Sequence, residues 1–286
     1  MNTPSAPTVL LNNGVAMPRL GLGTWPLKGA DAQRTVAFAL NNGYRLIDTA
    51  TAYGNESAVG RGIRAADVAR EDIFVTTKLR SSDHGHERTL RAVDASVAAL
   101  GLEYIDLFLI HWPVPSQNLY VETWQALRKV LADGHVRAIG VSNFKPAHLE
   151  RVIGETGTVP AVNQIQLSPL TSQAEPRAYH RNHHILTESW SPLGKGTDLL
   201  GHPTVTGLAS KYGKSPGQIV LRWHMDLGLA AIPKSNNPQR IISNIDIFDF
   251  VLTPEEVESL CALDTGAAQP VDSDAMQPGL MGPETP

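Results

Sequence analysis

A single cysteine, Cys261, stands among 286 residues. That excludes an intrachain disulfide, a zinc site built from several cysteines and an iron–sulfur cluster held by one chain, and it makes a reducing cytoplasm the expected compartment. No apolar run approaches the roughly 18 residues of a membrane span, and Met1 to Leu10 carries neither the charged start nor the apolar stretch of a secretory signal. Basic charge is not in excess either. With 24 Lys and Arg against 28 Asp and Glu, the net charge is -4, which argues against nucleic acid or an anionic lipid surface as a partner. Two phosphate-binding signatures are also missing. The run from Gly21 to Pro26 fails G-x-G-x-x-G at its sixth position, and Gly194-Lys195-Gly196 lacks the upstream glycine of a P-loop, so a Rossmann domain is disfavoured.

What is present is a chain with 42% hydrophobic residues, enough for one large core. Short β-branched and apolar runs recur, each followed by a stretch of helical periodicity. The strands expected are Leu20 to Trp25, Arg45 to Asp48, Ile73 to Lys78, Tyr104 to His111, Val136 to Val141, Ala161 to Leu167, His184 to Ser189 and Leu229 to Ile232. Between them the helices expected include Asp31 to Asn41, Asn55 to Ala65, Glu87 to Leu100, Val121 to Asp133, Lys145 to Ile153 and Pro216 to Asp226, the last with Ser215 as its N-cap. Evenly spread βα units without a linker predict an α/β chain folded as a single (β/α)8 TIM barrel, one domain over residues 1–286. Two segments fall outside the repeat. Val9 to Met17, with Asn13-Gly14, reads as a hairpin that plugs the bottom of the barrel. Ala267 to Pro286 is a Pro- and Gly-rich tail, either a flap ordered by the body or disordered.

A barrel of this kind carries its active site at the carboxyl ends of the strands. The polar residues closing the strands are Asp48 with Tyr53 just beyond, Lys78, His111, Ser142 and Asn143, Asn163 and Gln164, Trp190, and Lys234 with Ser235. If Asp48, Tyr53, Lys78 and His111 converge, Asp48 keeps Lys78 protonated, the ammonium lowers the Tyr53 pKa, and a neutral His111 orients a substrate oxygen. Such a set donates a proton to a polarised carbonyl oxygen. No side chain supplies a hydride, so a cofactor is required. Trp190 offers a flat face for a nicotinamide ring, with Ser142, Asn143 and Gln164 for its carboxamide. Lys234 and Arg240, near a helix start at Pro238, suit an extra 2′-phosphate and hence NADPH.

The sequence resembles the aldo-keto reductases from about Val15 to Leu263. The resemblance is carried by Gly21-Leu22-Gly23-Thr24-Trp25, Arg45 to Glu56, Thr77-Lys78-Leu79, Asp106 to Pro113, Gly140 to Phe144, Asn163-Gln164, Trp190 to Gly194 and Ile232 to Ser235. It implies a (β/α)8 barrel that reduces carbonyls with NADPH, with Tyr53 as general acid, Asp48 and Lys78 as its supporting pair and His111 as the orienting histidine. Cofactor contacts implied are Gly23, Thr24, Trp25, Asp48, Ser142, Asn143, Gln164, Trp190, Ser191, Pro192, Leu193, Lys234, Ser235, Arg240 and Asn244. Substrate contacts implied are Trp25, Tyr53, His111 and Trp112, with Tyr120 a further candidate for an aromatic pocket. The chain looks most like the bacterial branch acting on small ketoaldehydes, dicarbonyls and diketogluconate-type substrates, and a monomer is implied. Three departures stand out: Gln166 and Ser168 replace a frequent Glu and His, and Ser243 stands where an acidic residue often precedes Asn244.

Two other functions compete. A barrel that binds nucleotide without useful turnover has no need of the full Asp48, Tyr53, Lys78 and His111 set. A metal-dependent hydrolase would draw on the ten histidines, notably His84, His86 and the run from His180 to His184. These lie away from the strand ends, so solvated surface histidines and no metal are expected.

Overall fold

The computed structural model describes residues 6–277, so the last part of the expected tail, 278–286, lies outside the described residues. Strands β1 (Thr8–Leu10) and β2 (Ala16–Pro18) pair antiparallel as the expected hairpin, with Gly14 at φ 84° in its turn. Glycine carries no steric penalty in that left-handed conformation.

Eight parallel strands follow: β3 (Leu22–Gly23), β4 (Leu46–Asp48), β5 (Phe74–Leu79), β6 (Ile105–Ile110), β7 (Val136–Ser142), β8 (Val162–Gln166), β9 (Leu186–Trp190) and β10 (Ala230–Ala231). Each pairs with the next in chain order. A parallel bridge between Leu20 and Ala231, with Gly21 N–H donating to Ala231 C=O at 2.9 Å and Ala231 N–H to Arg19 C=O at 2.9 Å, joins the last strand to the first. The sheet is thereby the closed barrel expected. Helices α1 (Gly29–Asn41), α2 (Glu56–Arg64), α3 (His86–Leu100), α4 (Tyr120–Ala132), α5 (Pro146–Thr156) and α6 (Ala174–Asn182) return the chain between successive strands. Two helices, α7 (Pro203–Tyr212) and α8 (Pro216–Asp226), connect β9 to β10, and α9 (Pro238–Ile245) and α10 (Pro254–Cys261) follow the last strand. At the start of α8, Ser215 Oγ accepts from Gln218 N–H while Gln218 Oε1 accepts from Ser215 N–H, a reciprocal cap.

The period of two along each strand decides what enters the barrel. Leu46, Phe74, Leu107, Leu109, Ala138, Val162, Ala230 and Ile232 pack together inside it, whereas Val75, Leu79, Phe108, Ile110, Ile139 and Val141 pack with the helices outside. Leu11 and Met17 of the hairpin join the inner cluster, and Asn12 and Asn13 donate to the Pro160 and Arg137 carbonyls at 3.1 and 3.0 Å. The hairpin therefore closes the bottom of the barrel, as its sequence suggests. Full burial of each such apolar side chain contributes about 1.5–3 kcal/mol. Two residues above this apolar floor the same inward columns become polar, at Asp48, Thr76 and Lys78, Gln164 and Glu188. That step from apolar to polar marks where the chemistry sits.

Part of the tail is ordered by the body. Val271 N–H donates to Gln166 Oε1 at 2.9 Å, and Lys145 Nζ lies 2.7 Å from Asp272 Oδ1 and 2.5 Å from Asp274 Oδ2. Met276 packs against Trp112 and Val114. Up to residue 277 the tail is a flap lying across the barrel mouth.

Candidate active site

Asp48 ends β4 and Lys78 lies one residue from the end of β5; both are buried. Lys78 Nζ donates to Asp48 Oδ1 at 2.6 Å, to Oδ2 at 2.7 Å, to Thr49 C=O at 2.9 Å and to the Tyr53 hydroxyl at 3.5 Å. Tyr53 is held by a single helical turn, Thr51–Tyr53, closed by Gly54. That turn is pinned to β5 because Thr51 Oγ1 donates to Lys78 C=O at 2.9 Å and accepts from Arg80 N–H at 3.1 Å. Buried Asn55 braces it from below, accepting from Thr49 Oγ1 at 2.6 Å and donating to Leu27 C=O at 2.9 Å. His111, one residue past β6, sets its ring edge-on to Tyr53, 5.7 Å between centroids, and Trp112 stacks at 6.3 Å from His111.

The charge states follow from burial and partners. Burial pushes the Asp48 carboxyl up, against the pull of Lys78 and Gln164. Burial alone would depress the Lys78 ammonium, but Asp48 and Tyr53 hold it above its ordinary value. With an ammonium in contact with both its oxygens, Asp48 is the anion of an ion pair. His111 falls well below its ordinary value through burial and then through Lys78, so its imidazole is neutral, as expected. Tyr53 departs from expectation: burial raises the phenol, Asp48 adds to the rise, and Lys78 offsets them only in part. The ammonium does not bring the phenol below its usual value because burial outweighs it, with the Asp48 charge adding to the rise.

Asp48, Tyr53 and His111 line the inner end of a cleft of about 670 Å³ that also exposes Gly23, Thr24, Trp25, Trp112, Asn143, Gln164, Trp190, Ser191, Pro192, Leu193 and Lys234. Pro26, Gln166, Lys195 and Val271 line it too, beyond the residues foreseen from the sequence. Gly23 permits a close strand approach, since a Cβ there would stand 2.8 Å from the Ile232 carbonyl oxygen. Trp190 Nε1 donates to Asn143 Oδ1 at 2.8 Å, and Asn143 Nδ2 donates to His111 C=O at 3.0 Å, so the indole plane is tied to the histidine. Asn143 holds a left-handed φ of 63°. Ser142, fully buried, stands behind this pair and donates to Gln164 C=O at 2.8 Å.

Lys195 and Lys234 line the same cleft, and after burial Arg240 and Lys195 both depress the Lys234 ammonium, so three cations lie near one another. Lys195 Nζ sits 4.3 Å over the Trp25 ring. Asn237 caps α9, its Oδ1 accepting from Arg240 N–H at 3.1 Å, and Ser235 Oγ accepts from Asn237 N–H at 3.1 Å. Ser235, Arg240 and the buried Asn244 lie outside the cleft lining, on the α9 side of it.

Other sequence expectations change as well. Asn163 faces out of the barrel, donating to Phe144 C=O at 2.8 Å, because it is one residue out of phase with Gln164. Tyr120 packs against Phe144 and His148 and is not part of the cleft lining. His84 and His180 are buried, not solvated, and burial brings each to about 4. His180 brackets β8 and β9, 2.8 Å from both Asn163 Nδ2 and Thr187 Oγ1. Among the described residues no group of three or more His, Cys, Asp or Glu is arranged to hold a metal. Finally, Glu188 was not foreseen. It is fully buried two residues before Trp190, and its Oε2 accepts from Gln164 Nε2 at 2.7 Å. The alternation of β9 was the available signal, since the residue two before Trp190 faces the same side.

A family model described as the aldo/keto reductase family matches residues 19–265. An aldo-keto reductase of Mycolicibacterium smegmatis is 52% identical over 261 residues, covering 91% of this chain and 94% of its own length. The crystal structure of an aldo/keto reductase from Brucella melitensis superposes with a TM-score of 0.88 at 51% identity, over 91% of this chain and all 100% of that one. That of a Bombyx mori aldo-keto reductase in complex with NADP gives 0.86 at 39% identity, over 91% and 93% of the two chains. Since the match begins before the first barrel strand and ends past α10, it takes in every residue of the cleft except Val271, and the chain belongs to the aldo/keto reductase family of oxidoreductases.

Proposed function

We propose that this chain is an NADPH-dependent carbonyl reductase, interconverting C=O and CH–OH on small aldehydes, ketones or α-dicarbonyls, with Tyr53 as the general acid. One observation carries the reading. The Tyr53 hydroxyl lies 3.5 Å from an ammonium paired to Asp48, beside a neutral His111, in a cleft that Lys195 and Lys234 also line, with Arg240 near Lys234 outside the lining.

The donor set fits the cofactor. Trp190 presents an aromatic face, Asn143 and Gln164 present amide groups beside it, with Ser142 behind, and Ser191, Pro192 and Leu193 continue the wall. Lys234 and Arg240, joined by Lys195, suit the 2′-phosphate, with Ser235 near them and Asn244 toward the adenine end; like charges held together are relieved by an anion. The Bombyx mori neighbour solved with NADP supports the assignment. NADPH, when bound, supplies the hydride. The rest is the protein's. His111, neutral, donates one ring N–H to the carbonyl oxygen and orients it. Tyr53 transfers its proton to that oxygen, the O–H bond of the alcohol forms, and the phenolate left behind is stabilised by Lys78 until solvent restores the proton. Trp25 and Trp112, with Val271 of the flap, make an apolar aromatic wall that favours carbonyls bearing planar or apolar groups.

Replacing Tyr53 by Phe tests the acid. The variant is expected to fold, to bind NADPH and to lose turnover by about a hundredfold to ten-thousandfold, the range a positioned general acid supplies. Turnover equal to wild type would remove Tyr53 from the mechanism.

A further inference from the structure

The barrel interior holds a carboxyl group that the mechanism above leaves without a role. Glu188 on β9 is fully buried and stands in register with Gln164 on β8, so the two side chains project to one face. Gln164 Nε2 donates to Glu188 Oε2 at 2.7 Å and to Asp48 Oδ2 at 2.8 Å. An amide nitrogen has two hydrogens, and both are committed to carboxyl groups. A flipped amide would set its oxygen against the Asp48 carboxylate, acceptor against acceptor. Its orientation is therefore fixed by chemistry, and Oε1 is the amide atom left for the cleft that Gln164 lines.

Charge decides the state of Glu188. The charged or titratable groups facing it are Asp48 of β4, Lys78 of β5 and Tyr53 beyond β4; on its other side β10 places Ala230 in register and brings no charge. One ammonium thus serves two carboxyl groups, and Asp48 takes it at 2.6 and 2.7 Å. Glu188 receives only a neutral amide. A second buried anion would be unpaired, which the low-dielectric interior penalises. Among the described residues Glu188 Oε1 is buried with no hydrogen-bond partner, a situation a neutral acid tolerates far better than a carboxylate. Burial, and then the Asp48 charge, push the Glu188 carboxyl up to about 8.

We infer that Glu188 is a positioning residue of the reductase site. As a neutral acid it shares the Gln164 amide with Asp48, holds Gln164 Oε1 toward the cleft as acceptor for the N–H of the nicotinamide carboxamide, and leaves Asp48, Lys78 and Tyr53 with a single carboxylate charge. The acceptor role rests on the carbonyl-reductase reading proposed above; the neutral state of Glu188 does not. Once ionised, Glu188 raises the Tyr53 phenol further and weakens it as an acid.

The experiment pairs two measurements on the full chain. In pH-difference infrared spectra without ligand, wild type should lose a protonated-carboxyl C=O band as pH rises through about 8, and Glu188→Gln should lack that band. In NADPH titrations followed by tryptophan fluorescence at neutral pH, Glu188→Leu should bind about fivefold more weakly, the order of one neutral hydrogen bond no longer held in place. Glu188→Gln, whose carbonyl still accepts from Gln164, should restore the affinity. If Glu188→Leu does not fold, Glu188→Met, unbranched like the glutamate and equally unable to accept from Gln164, takes its place in the titration. No band titrating in that range, or the same band in Glu188→Gln, overturns the neutral acid. A band that behaves as expected, with Glu188→Leu binding NADPH like wild type, overturns the positioning role. Binding of NADPH by none of the three proteins overturns the functional reading and the acceptor role with it, while the band still reports the state of Glu188.

Discussion

Lys78 is the residue on which the site's electrostatics turn. Its ammonium sits between Asp48 and Tyr53, with Lys78 and Asp48 buried and Tyr53 half-buried at the cleft, and it is the cation in contact with the Asp48 carboxylate. Replacing it by Met leaves that carboxylate buried and unpaired, a change that costs about 3–5 kcal/mol in comparable buried pairs. Chemical denaturation of Lys78→Met should show a loss of that order, and Asp48→Asn added to it should recover part. A Lys78→Met protein as stable as wild type would mean that Asp48 is neutral in the folded state and that the pair is not what holds this corner of the barrel. The same residues show which site groups were legible in the sequence. Asp48, Lys78 and His111 close strands, where a barrel exposes its chemistry, and each stands where its strand end places it. Glu188 hides one inward step lower, where only the alternation of β9 counted back from Trp190 points to it. Asn163 was misplaced for the complementary reason: a shift of one residue along a strand reverses the face.

At the scale of elements, the flap formed by residues 268–277 is the piece that composition left undecided. Its few, unevenly spaced apolar residues mark a segment without a repeating apolar face, and what orders it is remote: Lys145 and His148 at the start of α5 clasp Asp272 and Asp274, and Gln166 at the end of β8 accepts from Val271. Contacts between residues more than a hundred positions apart leave no local pattern. The clasp is largely exposed, and ion pairs of that kind contribute about 1 kcal/mol or less. Lys145→Ala should therefore shift the melting temperature only slightly. It should raise KM for the carbonyl substrate with kcat nearly unchanged, because Val271 and Met276 lose their anchorage beside Trp112. Steady-state kinetics and thermal melts read both effects; an unchanged KM would mean that the flap contributes no wall to the substrate site. The hairpin is the contrasting case, legible because Asn13-Gly14 is a turn signal and Leu11 and Met17 flank it as apolar residues bound for the core.

Over the whole molecule, the alternation of strands and helices with no linker was enough to expect the closed barrel, because parallel strands separated by single helices leave few other ways to cover both faces. Strand limits moved by only a few residues; β3 and β10 are shorter than their apolar runs because the chain leaves the sheet to form the cleft walls at Thr24 and Pro233. Buried histidines were the least legible feature, since whether His180 is solvated depends on Asn163 and Thr187 arriving from two strands. The cleft itself brings the Tyr53 hydroxyl and the Lys195 and Lys234 ammonium groups into one opening of about 670 Å³, and that combination is what the reductase reading must explain. The decisive measurement is the loss of NADPH absorbance with α-dicarbonyls, aromatic aldehydes and sugar aldehydes, run beside NADH and repeated with Lys234→Ala/Arg240→Ala. The account expects turnover with NADPH well above that with NADH, a ranking of the panel that favours planar or apolar carbonyls, and a preference for NADPH that collapses in the double variant. Tight NADPH binding with no oxidation by any carbonyl of the panel would contradict it and leave a barrel that holds the nucleotide without reducing anything.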